Sequence, residues 1–135
     1  MQQPSPRPTA ISKPFWDALR DRRILIPQCE DCSGWVFYPR RHCPHCCSAA
    51  LTWKEISGQA TLCSYTLARI PTLAAFAQPG PQNLAIVTLA EGFNMNSALT
   101  GVKPGKMRIG MALQPVFDVL DDAGTTRLLF TAAED

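Results

Sequence analysis

The chain has 135 residues, of which 46% are hydrophobic and 18% charged, and its formal net charge is +2. That length holds one ordinary domain, or a small metal module joined to a small domain, and the apolar content is enough for a packed core. The positive surplus is too small to call for a nucleic acid or a membrane surface as partner. Met1 to Ser12 is proline-rich and polar, without the apolar run of a secretory leader, and no segment is long and apolar enough to span a bilayer. The expected setting is therefore reducing and cytoplasmic, where paired cysteines read as metal ligands more readily than as disulfides.

In chain order, residues 1–11 carry Pro4, Pro6 and Pro8 and are expected to form a loose arm. Ser12 is placed to cap a helix with Pro14 in its first turn. Over Phe15 to Arg23 the apolar Phe15, Trp16 and Leu19 fall on one stripe. Arg20, Arg22 and Arg23 gather at the C-terminal end, as an anion site or as charges that offset the helix dipole. Ile24–Ile26 and Trp35–Tyr38 read as two strands of a hairpin whose tip carries Cys29 and Cys32. Pro39 ends the second strand, Arg40 and Arg41 lead to Cys43 and Cys46, and Leu51–Trp53 leads away.

Two Cys-x-x-Cys pairs, Cys29/Cys32 and Cys43/Cys46, are separated by ten residues. Each pair can turn two sulfurs inward on a short knuckle, and two knuckles supply the four thiolates of a tetrahedral Zn²⁺ site. Strand alternating with knuckle describes a zinc ribbon, in which metal replaces most of the hydrophobic core and metal binding is coupled to folding. Iron takes the same four-thiolate arrangement, and disulfide pairing is the competing reading. His42 and His45 are expected to face solvent, because four thiols already complete the coordination sphere. Cys47 is a spare thiol beside the site, and Cys63 reads as a small core residue in mid-strand.

From about Lys54 the pattern alternates as strands do: Glu55–Ile70 bent at Gly58, Leu84–Glu91, Asn94–Thr100, Met111–Leu120 and Thr126–Thr131. Turn signals separate these runs at Pro79-Gly-Pro81, Glu91-Gly92, Pro104-Gly105 and Asp121 to Gly124. Five or six strands without a long helix predict a small closed or nearly closed barrel, of OB type by strand count and length. The predicted fold is mainly β: an arm and short helix over 1–23, a zinc ribbon over 24–54 and a five-stranded OB-fold barrel over 55–135.

Four motifs, in order, carry a resemblance: Pro14-Phe-Trp16, Cys29 to Cys46, Gly58-Gln-Ala-Thr-Leu-Cys-Ser-Tyr-Thr66, and Ile109-Gly-Met-Ala-Leu-Gln-Pro-Val-Phe117. The chain resembles, from about Pro14 to Phe130, the rubredoxin-like zinc-ribbon plus OB-fold family associated with acyl-CoA chemistry. The resemblance implies a non-catalytic accessory subunit that binds a thiolase-like partner (acyltransferase, thiolase or aldolase), shapes the complex and helps hold the coenzyme A thioester. It also implies that the zinc is structural. At the position after the second pair, where such knuckles often carry Gly, this chain has Cys47.

Arg40, Arg41 and Arg69, with Lys103, Lys106 and Arg108, are candidates to contact CoA phosphates, since guanidinium binds phosphate through paired hydrogen bonds. The long segment Pro71–Asn83, with Leu73 and Phe76, suggests a lid or a partner contact. A single-stranded nucleic-acid-binding module is the alternative from another class, because zinc ribbons and OB-folds both occur there. Against it, residues 57–135 carry a net charge of −1 and few aromatics. Electron transfer by an iron-loaded ribbon is the third.

Overall fold

The computed structural model describes residues 5–77, 80 and 82–133. Helix α1 spans Lys13–Arg20, with Pro14 in its first turn as expected. Phe15, Ala18 and Leu19 face inward, and Lys13 pairs with Asp17 one turn on at 2.6 Å. Ser12 does not cap the helix with its side chain. Its hydroxyl instead accepts the Thr9 N–H at 2.9 Å and meets Thr9 Oγ1 at 3.1 Å, while its carbonyl receives the Phe15 and Trp16 N–H groups. Ser5 of the arm is also anchored, its hydroxyl donating to Asp121 at 2.8 Å. Two of the arginines behind the helix are engaged: Arg23 pairs with Glu55 at 2.8 Å and Arg22 lies 5.5 Å over the Phe117 ring.

Strand β1 (Ile24–Cys29) pairs antiparallel with β2 (Leu51–Ile56), from Ile24↔Ile56 to Cys29↔Leu51. The expected hairpin between β1 and Trp35–Tyr38 does not form. That segment makes one isolated bridge, Gln28↔Trp35, and one bond from the Val36 N–H to the Pro27 carbonyl. The other edge of β1 is occupied by the strand that follows the second knuckle. Val36 and Pro39 are buried, so the segment serves as packing under the knuckles instead of as a ladder.

The run predicted as one bent strand is two strands in different sheets. Between them Gly58 is buried with φ +84°, and a Cβ there would lie 2.7 Å from Pro115 Cγ and 2.9 Å from Ile24 Cδ1. The five remaining strands are β3 (Ala60–Ala68), β4 (Gln82–Leu89), β5 (Asn94–Ala98), β6 (Ala112–Val119) and β7 (Thr126–Ala132). Their order is β5-β4-β3-β6-β7. A parallel bridge Leu99↔Phe130, a bond from Thr100 N–H to the Phe130 carbonyl at 2.9 Å and one from Ser97 Oγ to the Leu128 carbonyl nearly close it into a barrel. The β3–β6 seam pairs Ala60↔Leu113 and Thr61↔Ala112, with two further bonds at Leu62.

A β-bulge shifts the β3–β4 register between Leu62 and Ser64. Cys63 lies there on the face opposite the buried Leu62, so this thiol is exposed and not a core residue. One cluster joins Phe15 and Leu19 of α1, Ile24 and Ile26 of β1, and Leu62, Val87, Leu89, Leu113 and Phe130 of the barrel. Each such side chain buried contributes about 1.5–3 kcal/mol. A separate small cluster of Cys29, Val36 and Cys43, with Leu51 against it, lies under the knuckles. Among the described residues no helix is long and apolar enough to cross a membrane.

Candidate metal centre

The two knuckles repeat one backbone design. Ser33 and Cys47 both adopt left-handed conformations, with φ of 63° and 67°. Each donates its N–H to the carbonyl of the first cysteine of its pair, Ser33 to Cys29 at 2.9 Å and Cys47 to Cys43 at 2.8 Å. The next residue closes the turn: Cys29 N–H bonds to the Gly34 carbonyl and Cys43 N–H to the Ser48 carbonyl, both at 2.8 Å. The expectation that the position of Cys47 suits glycine thus has its cause in a positive φ. Knuckle meets knuckle through the Ser48 hydroxyl on Asp31 and through the Glu30 N–H on the Ala50 carbonyl.

The four sulfurs converge. Cys29 and Cys46 are 3.6 Å apart, as are Cys32 and Cys43, and all four lie within 4.8 Å of one another. A tetrahedron with Zn–S bonds of about 2.3 Å has edges of about 3.8 Å. The residues therefore fit a single tetrahedral ion, with Cys29, Cys32, Cys43 and Cys46 as its ligands. An ion held there would act by tying the knuckles together.

Without metal the thiols divide in acidity. The Cys32 N–H, foremost, and the Asp31 N–H hold Cys29 down to about 7, against its burial. At Cys46 the Ser48 N–H favours the thiolate, but thiol bonding with Cys29, burial and the neighbouring Cys32 and Cys43 prevail and push it up to about 12. Cys32 is raised in the same way, its Gly34 N–H outweighed by Cys43 and burial. Four thiolates cannot share this space uncompensated, and a divalent cation is the group that lets them.

His42 and His45 are exposed, as expected. His45 packs its ring against Gly34, where a Cβ would sit 2.6 Å from His45 Cδ2, and its Nε2 lies 3.4 Å from the Trp35 carbonyl. Arg40 and Arg41 are exposed on the segment between the knuckles. Arg69 is exposed at the end of β3, beside Phe76 and Gln82, and no described contact links it to that pair. Lys103, Lys106 and Arg108 are exposed around a short 3-10 turn at Pro104–Lys106. In the long β3–β4 connection, Ile70 and Leu73 stand 87% and 57% exposed and Phe76 is half-buried in a 3-10 turn. The predicted turn residues Pro79 and Pro81 lie outside the described residues.

One feature has no signature in the linear sequence. The first knuckle and the β4–β5 turn enclose a cleft of about 780 Å³, with Trp35 and Phe93 stacked in its wall.

Two family models match the chain: the ChsH2 rubredoxin-like zinc ribbon domain over residues 16–52, and the ChsH2 C-terminal OB-fold domain over residues 53–118. A protein of Thermomonospora curvata named probable enoyl-CoA hydratase alpha subunit is 37% identical over 109 residues; the match takes in 78% of this chain but only 33% of that protein. This chain thus spans about a third of that relative's length. A DUF35 domain-containing scaffold protein of Pyrococcus furiosus is 30% identical over 112 residues, covering 82% of this chain and 79% of its own. Among solved structures, a chain titled Ltp2-ChsH2(DUF35) aldolase superposes with a TM-score of 0.81 at 29% identity, over 94% of this chain and 98% of that one. The four convergent thiols, the nearly closed five-stranded barrel and these matches together show that the chain belongs to the DUF35 family, with a ChsH2-type zinc ribbon joined to an OB-fold.

Proposed function

We propose that this chain is a non-catalytic subunit that docks on a thiolase-like protein of acyl-CoA or lipid metabolism and helps hold the CoA thioester, in a reducing cytoplasmic setting. The observation that carries the reading is the likeness, over almost the full length of both chains, to a chain of an aldolase titled for Ltp2 together with ChsH2(DUF35). The scaffold name of the Pyrococcus relative supports the same role. The hydratase name belongs to a protein of which this chain spans a third, so the shared part need not carry that chemistry.

The metal argues in the same direction. Four thiolates close the coordination sphere, leaving no position for substrate or water, so the zinc acts structurally. Arg40 and Arg41, exposed on the ribbon, and Arg69, at the far end of β3, are assigned to the phosphates of CoA.

The test is co-expression with the thiolase homologues of the same genome. A stable complex that turns over an acyl-CoA substrate, with no turnover by this chain alone, is the expected result. A monodisperse monomer that ignores every homologue, or one that catalyses by itself, overturns the proposal. Within the complex, Arg40→Ala with Arg41→Ala is expected to raise KM for the thioester several-fold while leaving assembly intact. A low-salt shift assay serves the nucleic-acid alternative: micromolar, strongly salt-dependent oligonucleotide binding would replace this reading.

A further inference from the structure

The cleft between the first knuckle and the β4–β5 turn is built for one kind of charge. Gln28, Trp35, His45, Glu91, Phe93 and Asn94 contribute to its walls, and among the described residues no lysine or arginine does. Trp35 and Phe93 stack with centroids 5.6 Å apart and planes 25° apart, presenting flat aromatic surface. Glu91 Oε2 accepts the N–H and the hydroxyl of Ser57, each at 3.2 Å. Its Oε1 is buried and has no hydrogen-bond partner among the described residues. A buried carboxylate oxygen without a donor is costly, so this position favours a ligand that brings N–H groups.

Two amide side chains, Gln28 and Asn94, share the wall with Glu91. Gln28 gives one amide N–H to the Ser33 carbonyl at 2.9 Å, and its side-chain oxygen is an acceptor. The Asn94 side-chain oxygen takes the Thr88 hydroxyl at 2.8 Å, which leaves Glu91 and Gln28 as the side-chain acceptors of the wall. Phosphates and carboxylates find no lysine or arginine among the described residues here and meet Glu91.

The geometry points to a socket for a guanidinium group: an arginine side chain carried on a bound protein, its plane against the Trp35–Phe93 pair and its N–H groups toward Glu91 and Gln28. A guanidinium is preferred to an ammonium because it is planar, stacks on aromatic faces and presents several donors in a fixed fork. A free amino acid is disfavoured because its carboxylate would enter a cleft whose one charged wall residue is acidic. This assignment concerns what the cleft binds and goes beyond the proposed partnership. A chain that captures a thiolase-like protein yet ignores arginine would overturn the socket and leave that partnership standing.

The test uses the full zinc-loaded chain, isotope-labelled, reading the indole N–H signals of its three tryptophans by NMR. N-acetyl-arginine-amide is the probe, and Trp35→Phe assigns the signal. Saturable movement of the Trp35 signal is expected, with a dissociation constant on the order of millimolar for one exposed cation on an aromatic face and a carboxylate. The neutral isostere N-acetyl-citrulline-amide is expected to leave it in place. Glu91→Gln, which keeps an acceptor for Ser57, should weaken binding about tenfold or more. Phe93→Leu, which keeps Glu91, should weaken it several-fold, and decides the matter if the first variant fails to fold. An unmoved Trp35 signal, equal response to citrulline, or unchanged affinity in the folded variants overturns the proposal. Tighter binding of free arginine than of the capped form overturns the assignment to a protein-borne side chain.

Discussion

Replacing Gly58 by alanine should loosen the joint between ribbon and barrel, by an amount that can be divided into two parts. The residue sits at φ +84°, and an L side chain in a left-handed conformation costs about 1–2 kcal/mol. The added Cβ would lie 2.7 Å from Pro115 Cγ on β6 and 2.9 Å from Ile24 Cδ1 on β1, and overpacking of this kind costs about 1–3 kcal/mol. Alanine also restricts the unfolded chain, which returns about 0.4–1 kcal/mol. The net loss is roughly 2–4 kcal/mol. At about 3–5 °C per kcal/mol for a chain of this size, the melting temperature falls by roughly 6–20 °C. Gly124 supplies the control: it has the same φ of +84°, and nothing lies within 4 Å of its Cβ position. Gly124→Ala should therefore show the conformational part alone, about 1 kcal/mol after the same correction. Urea denaturation of both zinc-loaded variants, with the m-value checked for constancy, gives the difference directly. Equal losses in the two would refute the claim that Ile24 and Pro115 grip this glycine from both sides.

Further outcomes follow from the metal centre and the arm. Cys32→Ser should lose the metal, the folding of the ribbon and capture of the partner together; a metal-free, folded, partner-competent variant would show the ribbon to be dispensable. The number of protons released per zinc, read by calorimetry in buffers of different ionisation enthalpy, should rise as pH falls through about 7, where Cys29 takes up its proton. Above that pH Cys46, pushed up to about 12, still releases its own. Asp121 is held below its ordinary 3.8 by the Thr125 N–H first and the Ser5 hydroxyl next. Its contribution to stability is complete above that value and disappears as pH falls through the lowered one. Ser5→Ala should make the acid side of the stability profile shallower, and an unchanged profile would remove the arm from the account.

The ligands were legible because metal geometry imposes a spacing on the chain, and the strands from Ala60 onward were legible from turn residues and alternation. What escaped were effects of distant pairing. Trp35–Tyr38 has the composition of a strand, yet it makes one isolated bridge to β1, whose ladder partner on the other edge is Leu51–Ile56, which no local pattern announces. Cys63 sits in mid-strand among apolar neighbours, but the pairing of β3 puts Ala60 and Leu62 in the core and leaves Cys63 on the opposite, exposed face. Ser12 had the chemistry of a cap, and Thr9 took its hydroxyl. The cleft combines Trp35 from the ribbon with Glu91 and Phe93 from the barrel, so it exists only once the two parts have packed.

The register Cys29↔Leu51 means that the two-stranded sheet and the metal close the same loop, residues 30–50. Closing a flexible loop of that length carries an entropic cost on the order of 2–3 kcal/mol by logarithmic scaling. Whichever closure forms first removes most of that cost from the other. Ion and β-ladder are thereby coupled across a distance, and substitutions that weaken the β1–β2 pairing near Ile24↔Ile56, at the other end of the ladder from Cys29, should lower the affinity for zinc. In the reverse direction, a bound ion should slow amide exchange along the whole ladder, so that the small number of atoms at the knuckles sets the opening rate of the surface on which the helix and the barrel meet.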